Sequence, residues 1–289
     1  MTQITSFQVS KTMGFPVFSL ACCSNGKSRV CVGGGGGATK AGVKNTFVLF
    51  QLDEDQGTLK LIAEKEFSKS DDGCMSLALH PHSKIIAAGV NCPEAIMKEG
   101  KNLNCRIYTL KSNQLHSYKM IKTVNSLDPF HHQKVIQFSP DGQWMLTGTT
   151  EGICCIWNWP DIQLAHSFQP GNEITDASFD STSKHFVVIT SRKCMILNTS
   201  TGIMEWMDEN PNISGVLCEF RAARFTKEAL FVVCNAKNRK AAFICKYVKS
   251  SKQKLEWIRE KAKIVSYKPI TAFASRYFFN PLFLYNEQS

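Results

Sequence analysis

One strand-turn-strand plan recurs along the 289-residue chain, and it restricts the fold more than any single motif. In "MSLALHPHSKIIAAGVN" (Met75 to Asn91), "VIQFSPDGQWMLTGTTEGICCIWNW" (Val135 to Trp159) and "ITDASFDSTSKHFVVITSRKCMILNT" (Ile174 to Thr199), a short alternating strand leads into a polar turn. An apolar strand follows, then a turn of small residues, then another β-rich run. "VFSLACCSNGKSRVCVGGG" (Val17 to Gly35) fits the same frame, and "CEFRAARFTKEALFVVCNAKNRKAAFICKYV" (Cys218 to Val248) follows it more loosely. Repeat spacings of roughly 40 to 60 residues match WD-repeat β-propellers better than other repeat classes. "IWNW" stands where such blades often end in a Trp-Asp pair.

The expected fold is therefore all-β: a WD-repeat β-propeller, incomplete, with about five blades and the start of a sixth at "KPITAFA" (Lys268 to Ala274). Residues 1–274 read as the partial propeller and 275–289 as a divergent tail, because "SRYFFNPLFLYNEQS" shows no strand-turn-strand plan. A closed propeller needs its last blade to meet its first, so the chain reads as cut short or diverted near Ala274, with strand edges left uncovered.

Composition narrows the functional classes. A chain with 43% hydrophobic and 20% charged residues is globular, and no segment reaches the roughly 20 apolar residues of a membrane-spanning helix. "YFFNPLFLY" (Tyr277 to Tyr285) is short and broken by Asn280 and Pro281. The N-terminus lacks the basic start and apolar core of a signal peptide, which points to the cytosolic side. The 12 cysteines show no C-x-x-C pair, and most sit among Val, Ile, Phe and Leu, as reduced thiols acting as small hydrophobes. The net charge of +10 is concentrated in Asn235 to Lys263. That stretch suits a solvated face, an anionic membrane surface or an acidic partner. Nucleic-acid binding is the weaker reading, since no helix-turn-helix, zinc or RNA-recognition motif accompanies the charge.

The sharpest local feature is "VCVGGGGGATKAGVKNTFVLF" (Val30 to Phe50), with five consecutive glycines. A Walker phosphate loop would need Lys-Ser/Thr directly after its second glycine; Gly37 and Gly42 have the right separation, but Gly42 is followed by Val43, Lys44 and Asn45. A dinucleotide fingerprint would need a helix after the glycines, whereas "TFVLFQL" (Thr46 to Leu52) reads as a strand. A glycine-rich hairpin loop remains. Either it is a slack connector, or its carbonyls converge on a cation as hard-oxygen ligands.

"GFPVF" (Gly14 to Phe18), the glycine run after the next strand and its ending "GVKN" (Gly42 to Asn45) resemble the prolactin regulatory element-binding protein family over about residues 10 to 275. Members are endoplasmic-reticulum guanine nucleotide exchange factors for the Sar-type small GTPase that starts coat protein complex II assembly. The resemblance implies a potassium ion on the backbone carbonyls of Gly33, Gly34, Gly35, Gly36 and Gly37, and a GTPase-contacting loop through Gly42, Val43 and Asn45. Ala38, Thr39 and Lys40 fall in the variable centre of that loop. Asn45 is expected to pin the end of the loop by side-chain to backbone hydrogen bonds, or to be a simple turn former. Exchange makes and breaks no covalent bond. The family also continues to a seventh blade and a membrane-spanning helix, which place it at the cytosolic face of the endoplasmic reticulum; this chain shows neither.

Other conspicuous residues read as structural. His80, His82, His131 and His132 lie in turns without ligand-spaced partners. Asp141 and Asp180 read as turn formers, and Trp157 and Trp159 as blade packing. The alternative to exchange activity is a non-catalytic WD-repeat scaffold in which the glycine loop only connects strands.

Overall fold

The computed structural model describes residues 9–23, 28–37, 42–250, 256–260, 262–276 and 279–286. The protein is all-β, built of four-stranded antiparallel meanders as in a WD-repeat β-propeller. It divides into two units, Met1–Phe138 and Ser139–Ser289.

In the first unit, β1 (Val17–Cys23), β2 (Arg29–Gly34), β3 (Thr46–Asp53) and β4 (Thr58–Glu66) form one sheet in chain order. The second sheet is β5 (Ser76–Leu79), β6 (Ile85–Gly89), β7 (Cys105–Lys111) and β8 (Gln114–Ile121), with the short helix α1 (Glu94–Lys98) between β6 and β7. β9 (Gln133–Phe138) lies against β5. Side chains alternate across a strand, so β3 serves two cores at once. Phe47 and Leu49 join Cys31, Phe67, Leu77, Ile86 and Tyr108, whereas Val48 and Phe50 join Val32 beneath Met13 and Phe15. Phe47 meets the Tyr108 ring edge-on at 5.5 Å, an arrangement the aromatic quadrupole favours.

The second unit holds β10 (Trp144–Thr149), β11 (Cys154–Asn158) and β12 (Gln163–Phe168), then the sheet β13 (Asp176–Phe179), β14 (His185–Ile189), β15 (Cys194–Asn198) and β16 (Met204–Asp208). β17 (Cys218–Phe225), β18 (Ala229–Ala236) and β19 (Ala242–Lys249) follow, with β20 (Trp257–Arg259) and β21 (Lys263–Ser266) both paired to β19. Ile189, Ile196, Phe220, Leu230, Val232 and Tyr247 are central to its core. Trp157 packs across the sheet and donates from Nε1 to Thr147 Oγ1 at 2.9 Å. Asp141 Oδ1 accepts the Gln143 N–H at 3.0 Å, closing its turn.

Strand pairing also runs beyond Ala274, into the segment whose sequence shows no such plan. β22 (Ile270–Arg276) and β23 (Phe279–Asn286) form a two-stranded antiparallel sheet. The register shifts between Ser275 and Arg276, opposite the part of β23 that contains Asn280 and Pro281. A proline lacks the N–H a regular ladder uses, and a bulge accommodates it.

The 12 cysteines are free thiols, nine of them buried. Burial pushes Cys74 and Cys105 up to about 12, so both stay protonated and pack as small apolar groups.

Asp180 does more than form its turn. Its carboxylate lies 3.0 Å from His185 Nδ1, and Glu205 Oε2 lies 3.1 Å from His185 Nε2. The bond to Asp180 raises the His185 pKa against the opposing effect of burial. Burial pushes the Asp180 carboxyl up, but bonds from His185 and Thr182 outweigh it and hold the group below its ordinary value. The histidine therefore stabilises the fold fully below its unfolded pKa of about 6.5, and that contribution is lost as pH rises through the higher folded value. The aspartate contributes above about pH 3.9 and its share is lost as pH falls through the depressed value. Urea unfolding should thus show stability falling as pH rises from about 6.5 through the raised folded value, with His185→Gln flattening that slope. An unchanged slope in the variant would refute the assignment.

Candidate functional site

The five glycines do two different jobs. Gly33 and Gly34 close β2, opposite Ser19 and Val17 on β1 and Phe47 and Thr46 on β3. A Cβ on Gly33 would come within 2.7 Å of Cys74 Sγ and 2.8 Å of Leu77 Cδ1. One on Gly34 would overlap the Pro16 carbonyl. Only glycine lets the neighbouring backbone approach so closely. The Gly34 carbonyl accepts the Cys74 N–H at 3.2 Å. Beyond the strand, Gly35 (φ +142°) and Gly37 (φ +68°) take conformations that L side chains rarely adopt.

"GFPVF" supports this turn from outside. The Gly35 N–H donates to Pro16 O at 3.1 Å, and Phe15 packs with Met13 against Val32, Val48 and Phe50. The two sequence features that carry the family resemblance therefore touch one another.

Asn45 closes the loop from its far end and is 2% exposed. Its Oδ1 accepts the Gly37 N–H at 2.9 Å, while its Nδ2 donates to Gly37 O at 3.3 Å and Asp71 O at 2.7 Å. Its own carbonyl accepts the Phe67 N–H at 2.8 Å. The side chain thus mimics a paired strand residue for Gly37 and ties both to the next segment. Gly42 (φ +75°) and Lys44 are exposed and Val43 is half-buried. Ala38, Thr39 and Lys40 lie outside the described residues.

Behind Asn45 stands a buried ion pair. Arg106 on β7 donates from Nη1 to Asp71 Oδ2 at 2.8 Å and from Nη2 to Asp71 Oδ1 at 2.9 Å. The guanidinium lies over the Phe67 ring, 5.4 Å from its centre. Burial works against the Arg106 charge, but the two-pronged bond and the attraction of Asp71 exceed it and hold its pKa above the ordinary value. Asp71 Oδ2 also accepts the Ser68 N–H at 3.1 Å. One continuous path therefore runs from Gly37 through Asn45 and Asp71 to Arg106.

The next residue, Asp72, places Oδ1 3.1 Å from where a Cβ on Gly37 would stand, and it accepts the Gly73 N–H at 2.7 Å. Gly35, Gly37 and Asn45 are thus brought together, with Gly33 and Gly34 behind them in the sheet. Sequence reasoning missed Pro16, Asp71 and Arg106. A lone arginine within the apolar strand "CRIYTL" was the available signal for the last, since a buried cation needs a partner.

His80 is buried and packs against Phe138 at 5.0 Å between ring centres, with its Nδ1 accepting the His82 N–H at 3.1 Å. Among the described residues no group of His, Cys, Asp and Glu is placed to hold a metal.

Comparison with known proteins gives two findings. Residues 113–158 match the WD domain, G-beta repeat model. The chain is 24% identical over 228 residues to the guanine nucleotide-exchange factor SEC12 of Mus musculus, covering 66% of this chain and 53% of that protein. The SEC12 of Rattus norvegicus is 23% identical over the same length, with the same coverage. The chain spans about half the length of the curated relatives it matches. These matches support the resemblance carried by the glycine motifs. Among the described residues, no helix is long and apolar enough to cross a membrane.

Proposed function

We propose that the chain is a guanine nucleotide exchange factor for a Sar-type small GTPase at the cytosolic face of the endoplasmic reticulum, promoting coat protein complex II budding. The observation that carries this reading is the anchoring of the glycine loop by Pro16, Cys74 and Asn45, which leaves Gly42 and Lys44 exposed and Val43 half-exposed between them. The similarity to SEC12 exchange factors supports it.

An exchange factor binds the nucleotide-free GTPase more tightly than the loaded form, and linkage then weakens nucleotide binding by the same factor. A loop already held in one shape loses less entropy on docking. In this scheme Gly42 and Val43 touch the GTPase, and the buried Asn45 is a positioning residue that acts through Gly37.

The donor set fits a potassium ion in part. Gly34 O and Gly37 O already accept hydrogen bonds, though a carbonyl oxygen has a second lone pair. Gly35, Gly36 and Gly37, with the Asp72 carboxylate beside Gly37, would hold the ion, while Gly33 and Gly34 serve the sheet. A bound ion would stiffen the turn by drawing its carbonyls together.

Release of a fluorescent nucleotide from a Sar-type GTPase tests the proposal. The chain should accelerate release, and more so in potassium than in sodium. Asn45→Ala leaves the Gly37 N–H and the Asp71 carbonyl without their partner, and should slow release about tenfold or more with the fold retained. A scaffold would leave release unchanged in both salts. Gly33 and Gly34 favour that second reading to this extent: their lack of a side chain is explained by packing alone.

A further inference from the structure

The hairpin between β18 and β19 ends in Lys237, Asn238, Arg239 and Lys240, all exposed. Neighbouring segments bring more side chains to the same end. Lys237 N–H donates to Leu217 O at 2.9 Å, and pairing of Ser266 with Ala242 sets Tyr267 and Lys268 beside Ala241 and Lys240. Tyr267 is 80% exposed, Leu217 64% and Ile264 55%. Lys237 is paired with Glu219 at 3.5 Å, but among the described residues Arg239, Lys240, Lys263 and Lys268 have no carboxylate within ion-pair distance.

We propose that this end of the β17–β21 sheet docks on an anionic lipid bilayer. Arg239 takes a left-handed conformation (φ +61°), and the Lys240 N–H is held by Asn238 Oδ1 at 3.0 Å, so a tight turn projects both cations outward. Leu217, Ile264 and Tyr267 expose apolar side chains at this end of the sheet, beside the cations. A bilayer's interface takes isolated aromatic and aliphatic side chains at headgroup level, while lysine and arginine sit over anionic headgroups. This attachment is independent of the exchange loop, which lies in the other unit.

Co-sedimentation of the full chain with phosphatidylcholine vesicles, with and without phosphatidylserine, tests it. Binding should require phosphatidylserine and weaken with salt, and soluble phosphoserine should compete poorly. Each cation near the surface is worth roughly fivefold, so Arg239→Gln with Lys240→Gln should weaken partitioning about 25-fold. Tyr267→Ser should weaken it further at unchanged charge. If the double variant melts early, Lys268→Gln, outside the hairpin, should give about a fivefold loss instead. Failure to bind phosphatidylserine vesicles, equal binding to neutral ones, or binding untouched by the substitutions would overturn the proposal. So would retention on a soluble polyanion without vesicle binding, which marks an acidic macromolecule as the partner.

Discussion

Asp71→Ala is expected to destabilise the protein by about 3–5 kcal/mol, the cost of removing one partner of a buried ion pair. Arg106 would keep its charge, since burial alone does not neutralise a guanidinium, and among the described residues its Nε already has no hydrogen-bond partner. The Ser68 N–H would lose its acceptor as well. The segment carrying the Asp71 carbonyl would loosen, and with it Asn45 and the glycine turn. Nucleotide release should therefore fall even under conditions where the variant remains folded. Arg106→Met in the same chain removes the stranded cation and should recover part of the stability without restoring the position of the loop. Denaturant unfolding of the wild type and the two variants reads the first effect, and fluorescent-nucleotide release reads the second. A wild-type midpoint for Asp71→Ala would show that the pair is solvated in solution and anchors nothing.

The same residues show where sequence reading stops. Strand alternation and turn residues are local, so "SPDGQ" and "SFDSTS" announce their meanders directly. The glycine run is also visible as exceptional. Its division into two strand residues and a turn is not, because it depends on Pro16 and Cys74, which approach from other segments. Asp71 lies 26 residues from Asn45 and 35 from Arg106, and no periodicity links them. Within its own stretch, "SKSDDG" reads only as a polar turn. In the tail an Asn-Pro step argues locally against a strand, yet β23 pairs with β22 through a register shift.

Gly34→Ala should be strongly damaging for a single added methyl. The added carbon would overlap the Pro16 carbonyl, a backbone atom that cannot rotate away, so β1 or β2 must move. Overpacking of this kind costs about 1–3 kcal/mol and sometimes more. The shift would also separate Gly35 from its bond to Pro16 and carry the turn off Asn45. Release should then drop toward the uncatalysed rate. Gly171→Ala is the control. A Cβ there meets nothing within 4 Å, and the residue pays only for its positive φ, about 1 kcal/mol. If packing of the glycine run governs activity, Gly34→Ala should lose both stability and exchange while Gly171→Ala melts only slightly early and exchanges normally. If both variants melt and exchange alike, the close approach at Pro16 is not what shapes the loop, and the glycines act only through chain flexibility.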